Sequence, residues 1–88
     1  MRAIGYREPQ DISAETSLIT LDLPEPVATG RDLLVEVKAI SVNPVDTKVR
    51  RNARPPEGEA RILGWDAAGI VKAVGPEVTA FGPGDAVF

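Results

Sequence analysis

Apolar and polar residues alternate along much of this chain, and the alternation predicts several short β-strands. Residues 17–23 place apolar side chains at every second position, namely Ile19, Leu21 and Leu23, as in a strand with one buried face. Residues 2–7 form another candidate strand, which turn-forming residues follow. The first part of the chain is therefore expected to be β-structure.

The clearest strand signal lies in residues 33–43. Apolar side chains recur at every second position from Leu33 to Ala39, and two of the three residues between them are charged. One face of this strand is therefore expected to point inward. From Ile40 onward both faces are apolar, which predicts that the strand passes into the interior.

A third apolar segment, residues 63–75, contains Gly64, Gly69 and Gly75 and has no polar face of helical period. Each glycine would destabilise a helix by about 1 kcal/mol relative to alanine, so a buried strand is the better prediction. Glycines within a strand mark bends or the close approach of another backbone. We therefore expect a curved central strand, with Trp65 placed just after a bend.

One short helix is predicted between these strands. Pro44 suits the first turn of a helix and Asn43 can cap it, which predicts a helix or 3₁₀ turn over residues 44–51. A polar, proline-bearing loop over residues 52–60 follows, and a tight turn later leads into a last strand over residues 86–88. These elements predict a mainly β fold with one short helix, arranged as a small, partly open β-barrel.

The composition narrows the classes of function. The 88 residues are 43% apolar and 26% charged, the balance of one globular domain with a small core. A net charge of −3 argues against nucleic acid or an anionic membrane as a partner, because both bind cationic surfaces. No apolar stretch is long enough to span a bilayer, and the N-terminus lacks the apolar core of a signal peptide. A cytoplasmic location is therefore expected.

The chain contains neither cysteine nor histidine. Within these residues, thiol and imidazole catalysis are therefore excluded, together with the commonest zinc ligands. Acid–base chemistry would fall to Asp, Glu, Lys or the single tyrosine, Tyr6. Any metal site in this chain would have to use oxygen ligands.

Two pairs of residues carry candidate chemistry. Asn43 and Asp46 place an amide and a carboxylate at a strand-to-helix corner. They either face the mouth of a barrel or serve as a helix cap and a first-turn acid, which the spacing favours. Trp65 and Asp66 either line a ligand pocket or form a core aromatic beside a paired carboxylate. The sequence favours neither alternative for this second pair.

Two other patterns carry less weight. Basic residues around the predicted loop could hold a phosphate, but neighbouring glutamates dilute their charge, so a solvated surface is the better prediction. These basic residues are Lys48, Arg50, Arg51, Arg54 and Arg61. The glycines match neither a dinucleotide fingerprint nor a P-loop, because both motifs need a strand before them and a helix after them.

Taken in order, these segments resemble the GroES-like N-terminal part of the medium-chain dehydrogenases and reductases. The likeness covers the strand and helix at 35–48, the loop at 52–60, the glycine-bend strand at 64–75 and the Gly-Asp turn at 82–88. The motif Asn43-Pro44-Val45-Asp46-Thr47-Lys48 looks like that of quinone oxidoreductases and, more closely, of zinc-type alcohol dehydrogenase-like proteins. The resemblance implies that residues 1–88 are an incomplete GroES-like domain of a two-domain enzyme, whose Rossmann cofactor domain is absent from this chain.

The resemblance also implies roles for individual residues. Zinc alcohol dehydrogenases carry a cysteine ligand at the position of Asn43 and a histidine ligand at that of Trp65, so no catalytic zinc is expected. Asn43 and Lys48 would be the catalytic residues, the first as a hydrogen-bond donor and the second as a cation or proton source. Trp65 and Asp66 would line the substrate pocket. The supporting residues would be Asp46 and Thr47.

The implied activity of the complete protein is NADPH-dependent reduction of a quinone or an activated double bond, such as that of an enone. NADPH would bind mainly outside this chain, and similar reductases are often homodimers. The alternative is a GroES-like binding or assembly module that has the same fold and no chemistry of its own. A strand, a glycine-rich fingerprint and a helix further along the same gene would favour the enzyme.

Overall fold

The structure, a computed structural model, describes residues 1–88 and contains six strands and one helix. The elements are β1 (Arg2–Tyr6), β2 (Ile19–Asp22), β3 (Leu33–Ser41), α1 (Pro44–Asn52), β4 (Arg61–Ile62), β5 (Asp66–Val74) and β6 (Ala86–Val87). The strands form two antiparallel three-stranded sheets with open edges. The predicted mainly β class with one short helix is confirmed.

The chain divides into two compact units, each made of two segments. The first unit comprises Met1–Pro24 and Val42–Trp65, and the second comprises Glu25–Ser41 and Asp66–Phe88. Each unit contains one of the sheets. The strand-to-helix corner at Asn43 therefore belongs to the first unit.

The sheet of the first unit has the order β2-β1-β4. Gly5 pairs with Ile19 on one side and with Ile62 on the other. A Cβ atom on Gly5 would lie 2.3 Å from the Arg61 carbonyl oxygen, so glycine is what allows β4 to approach. The next residue, Tyr6, is fully buried and is the core side chain of this unit.

The sheet of the second unit has the order β3-β5-β6 and is dominated by the long β3–β5 pair. Its register shifts twice, which leaves Lys72 of β5 and Lys38 of β3 without a directly opposed residue. A Cβ atom on Gly69 would lie 2.2 Å from the Glu36 carbonyl oxygen. The expectation that a glycine of the central strand marks a close backbone approach is therefore confirmed at Gly69.

Two expectations about burial are wrong. The central strand is not buried along its length, because Gly69 and Val71 are its only buried residues. The second half of β3 does not enter an interior, since Val37 is 53% exposed and Ile40 is 70% exposed. Apolar residues on both faces show that a strand can be buried on both faces. They do not show which element covers each face, and within these residues β3 hydrogen-bonds only to β5.

The predicted helix is confirmed and runs one residue further than expected, over Pro44–Asn52. The predicted bend is also confirmed, because Gly64 adopts a φ of 111°, which favours glycine. The short strand β4 was not predicted. No helix in the structure is long and apolar enough to cross a membrane.

Candidate active site

Asn43 and Asp46 are joined by two hydrogen bonds at the first turn of α1. Asn43 is the N-cap, with extended backbone angles φ −126° and ψ 164°. Its carbonyl oxygen accepts a hydrogen bond from the Asp46 N–H at 3.0 Å, and Asp46 Oδ2 accepts one from the Asn43 N–H at 2.7 Å. This second bond is the N3-carboxylate half of a capping box. The two bonds fix the point at which the Asn43 side chain leaves the backbone.

Asp46 is one of two buried polar residues in the chain, with 7% of its surface exposed. Its second carboxylate oxygen, Oδ1, is buried and has no hydrogen-bond partner. A buried oxygen without a donor opposes folding. The position of Asp46 in the first turn offsets part of that cost, because the N-terminal end of a helix stabilises negative charge. The predicted first-turn acid is thus confirmed in place.

Lys48 and Thr47 are both exposed on α1. The Thr47 hydroxyl donates a hydrogen bond to the Pro44 carbonyl oxygen at 2.8 Å, so it is engaged within its own helix. The Lys48 side chain makes no hydrogen bond or ion pair within the chain. Of these two residues, Lys48 is therefore the one whose charged group is available to another molecule.

Trp65 follows the bend at Gly64 and is 51% exposed. This exposure contradicts the alternative in which Trp65 is a core aromatic. Asp66 is exposed and begins β5, where it pairs with Ser41 in the second unit. The assignment of Trp65 and Asp66 to a substrate pocket stays a prediction.

Each unit contains a surface groove. The groove of the second unit, about 420 Å³, is apolar and includes Phe81 and Phe88. The groove of the first unit, about 650 Å³, is lined by side chains of both charges. Its lining residues are Arg7, Glu8, Gln10, Thr16, Ile19, Arg54, Pro55, Glu57, Gly58 and Glu59. None of the six predicted site residues lines either groove.

Two of the basic residues near the loop are engaged with other parts of the chain. Arg50 Nη1 donates a hydrogen bond to the Gln10 carbonyl oxygen at 2.8 Å. Arg54 lies 3.8 Å from a carboxylate oxygen of Glu8 in an exposed ion pair. These contacts are consistent with the prediction that the basic residues form a solvated surface. The Arg50 hydrogen bond also connects α1 to the segment that follows β1.

Tyr6 is a structural contact of α1 that the sequence analysis missed. Its hydroxyl donates to the Val49 carbonyl oxygen at 2.8 Å and also contacts the Ala53 carbonyl oxygen. A sequence signal did exist, because a tyrosine on a short strand is often buried, and a buried hydroxyl needs a partner. No local pattern could have named that partner, which lies more than forty residues away.

Comparisons with known proteins identify relatives along the whole chain. Residues 29–88 match the alcohol dehydrogenase GroES-like domain. A zinc-type alcohol dehydrogenase-like protein of Staphylococcus aureus is 42% identical over 88 residues, which are 100% of this chain and 26% of that protein. A trans-enoyl reductase of Pyricularia grisea is 42% identical over 65 residues, 74% of this chain and 17% of that protein.

A solved structure gives the same result for the fold. The crystal structure of a proposed zinc-dependent alcohol dehydrogenase from Rhizobium etli superposes with a TM-score of 0.91 at 56% identity. The match covers 98% of this chain and 25% of that one. The chain thus spans about a quarter of the length of these relatives, and the resemblance inferred from residues 35–88 is confirmed at the level of family and fold.

Proposed function

This chain belongs to the alcohol dehydrogenase GroES-like domain family of the medium-chain dehydrogenases and reductases, and we propose that the full-length protein is an NADPH-dependent oxidoreductase. Its substrate is a quinone or an activated double bond, and its reaction uses no catalytic zinc. The observation that carries the proposal is the Asn43 corner, where Asp46 Oδ2 holds the Asn43 N–H at 2.7 Å. This bond fixes the backbone of Asn43, whose side chain is a neutral amide at the position where, by the resemblance, zinc alcohol dehydrogenases carry a cysteine ligand.

The residues at this corner do not fit a zinc ion. A catalytic zinc site uses three ligands of the Cys, His or acidic type and keeps one position open. Asn43 offers a neutral amide and Trp65 offers no ligand atom, and the chain has no cysteine or histidine. No group of three acidic residues is placed to hold a metal ion. The proposed reaction therefore proceeds without a metal, unlike one that depends on zinc.

The proposed reaction needs a hydride, a proton and a donor to the substrate oxygen. NADPH, when bound, would supply the hydride for the reduction. Asn43 would donate a hydrogen bond to the substrate oxygen, where negative charge develops. Lys48 would supply the proton that completes the reduction, and its exposed, unpaired ammonium group supports this role. Trp65 would form a wall of the substrate pocket, and Asp66 would lie beside it.

The relatives support the activated double bond in particular. The partial match to the trans-enoyl reductase covers 74% of this chain, and that enzyme is named for reducing a double bond. A second trans-enoyl reductase, from Gibberella fujikuroi, is 48% identical over 54 residues. An enone or an enoyl thioester carries its own polarising carbonyl group, so its reduction does not require a metal Lewis acid.

The remaining parts of the proposal concern the full-length protein. No dinucleotide fingerprint occurs in these 88 residues, so NADPH would bind mainly to a Rossmann domain outside them. Homodimerisation and a cytoplasmic location complete the proposal. Homodimerisation rests on the family resemblance alone.

The proposal is tested by assaying the full-length protein for NADPH oxidation with a quinone, an enone and a simple alcohol. We expect reduction of the first two substrates, little oxidation of the alcohol, and activity that survives a strong chelator. Metal analysis accompanies the assay. Stoichiometric zinc whose removal abolishes turnover would refute the metal-free mechanism, while a complete lack of NADPH-dependent activity would favour a binding or assembly module.

A further inference from the structure

The C-terminal turn of α1 is fastened to strand β1 by one buried side chain. Tyr6 has no exposed surface, and its hydroxyl bonds the Val49 carbonyl oxygen at 2.8 Å and contacts that of Ala53. The Val49 carbonyl oxygen also accepts a hydrogen bond from the N–H of Ala53, the C-cap residue, at 2.9 Å, so the Tyr6 hydroxyl is a second donor to it and links the end of the helix to β1. We refer to the contact of Tyr6 with Val49 and Ala53 as the tyrosine clamp.

The clamp acts on the helix that carries both proposed catalytic residues. Asn43 caps the start of α1, and Lys48 directly precedes Val49, whose carbonyl oxygen the clamp holds. A helix of this length is about 14 Å long, so a small change of tilt at one end displaces the other. The capping bond with Asp46 lies within the first turn and orders that end only locally, whereas the tyrosine clamp and the Arg50 hydrogen bond to the Gln10 carbonyl oxygen connect the second end to the segment around β1. Loss of the Tyr6 hydroxyl would weaken the hold on this second end and let α1 tilt.

We propose that Tyr6 is a positioning residue for the reduction, and that its hydroxyl sets the direction in which α1 presents Asn43 and Lys48. The inference rests on the proposed function, because it assigns a catalytic effect to the placement of these two residues. Tyr6 itself touches neither substrate nor cofactor in this scheme. Misplacement of reacting groups by about 1 Å can lower a rate on the order of a hundredfold, so even a small tilt of α1 has a measurable effect.

The decisive substitution is Tyr6→Phe in the full-length protein, because it keeps the buried ring and removes only the hydroxyl. We expect kcat to fall roughly tenfold with little change in KM, since the lost placement acts in the transition state. The matched control is Val71→Ala, which truncates the other fully buried side chain, on β5 in the second unit. This control lowers the melting temperature as well, and we expect it to leave kcat nearly unchanged.

A double-mutant cycle tells positioning apart from general loosening. Asn43→Ala is expected to lower kcat about a hundredfold. If Tyr6 acts through the placement of Asn43, Tyr6→Phe has little further effect in the Asn43→Ala background. If Tyr6 only stabilises the fold, its effect on kcat is small in both backgrounds and parallels that of Val71→Ala, which overturns the inference.

The outcomes keep this inference separate from the proposed function. Absence of NADPH-dependent reduction in the unaltered protein refutes the proposed function before any variant is compared. Normal reduction by both the parent and Tyr6→Phe refutes the tyrosine clamp alone. If Tyr6→Phe does not fold, Arg50→Met replaces it, because Arg50 forms the other tether of α1 through the Gln10 carbonyl oxygen at 2.8 Å. An unchanged kcat in Arg50→Met then refutes positioning through this end of the helix.

Discussion

Gly69 offers a direct test of the β3–β5 pairing. A Cβ atom at this position would lie 2.2 Å from the Glu36 carbonyl oxygen and 2.8 Å from Val35 Cγ1. The first distance is about 1.2 Å shorter than the start of ordinary van der Waals contact. Because the obstacle is backbone rather than the end of a flexible side chain, no rotamer change can relieve it. Gly69→Ala therefore has to push β3 and β5 apart.

The expected cost is large for a chain of this size. Overpacking typically lowers the free energy of unfolding by about 1–3 kcal/mol. Because the clash is with backbone in the longest strand pair, we expect Gly69→Ala to lower it by about 3 kcal/mol. Alanine also restricts the unfolded chain more than glycine does, but this raises the free energy of unfolding by only about 0.4–1 kcal/mol. A net loss of about 2 kcal/mol or more corresponds to a melting temperature lowered by roughly 8–16 °C for a domain of this length.

Gly82→Ala is the matched control, because no atom lies within 4 Å of a Cβ atom at that position and Gly82 has no positive φ. We expect this variant to be neutral or slightly more stable. Both variants of the 88-residue chain are unfolded in urea and followed by circular dichroism. If Gly69→Ala unfolds at the same urea concentration as Gly82→Ala, the close approach of Glu36 to Gly69 is wrong.

Three further predictions concern the corner, the cofactor and the surface charges. Asn43→Ala in the full-length protein should lower kcat about a hundredfold but stability by only about 1 kcal/mol, whereas Asn52→Ala at the other end of α1 should leave kcat unchanged in steady-state assays. The isolated 88 residues should not bind NADPH at micromolar concentration, and saturable binding in a fluorescence titration would mean that the cofactor site is misplaced. The Lys72 ammonium lowers the pKa of Glu25, and Glu25 raises the pKa of Lys72. This exposed ion pair therefore makes a small contribution to the free energy of unfolding, which is fully present between pH 4.5 and pH 10.5, the ordinary pKa values of the two groups. The contribution is lost as acid protonates Glu25 or as base deprotonates Lys72. Unfolding curves of Glu25→Gln should lack this pH dependence.

The strand-to-helix corner could be predicted because its signals are local. Pro44 fixes the φ angle of a first helical turn and lacks the N–H that would be unsatisfied there. Asn43 precedes it as a capping residue, and Asp46 follows at the spacing of a capping box. Each of these preferences acts over a few residues. The helix and the positions of its N-cap and first-turn acid therefore followed from the sequence without knowledge of the rest of the fold.

Burial and long-range contacts could not be predicted in the same way. Ile40 lies in a run that is apolar on both faces, yet it is 70% exposed, because burial depends on which element covers a face. The strand β4 has only two residues, Arg61–Ile62, which is too short for any alternation to be visible. It exists because Gly5 has no side chain to keep it away. Such contacts are set by the sheet, and no short pattern encodes them.

The cap formed by Asn43 is compatible with the catalytic role that we propose for it. The cap requires an extended backbone at Asn43 and a bond from its N–H to Asp46 Oδ2, and the same two features fix the origin of its side chain. A donor contributes most to catalysis when it is held in place before the reaction, because no free energy is then spent on orienting it. Asp46 provides that restraint although its Oδ1 is buried without a partner, an arrangement that is costly for stability alone.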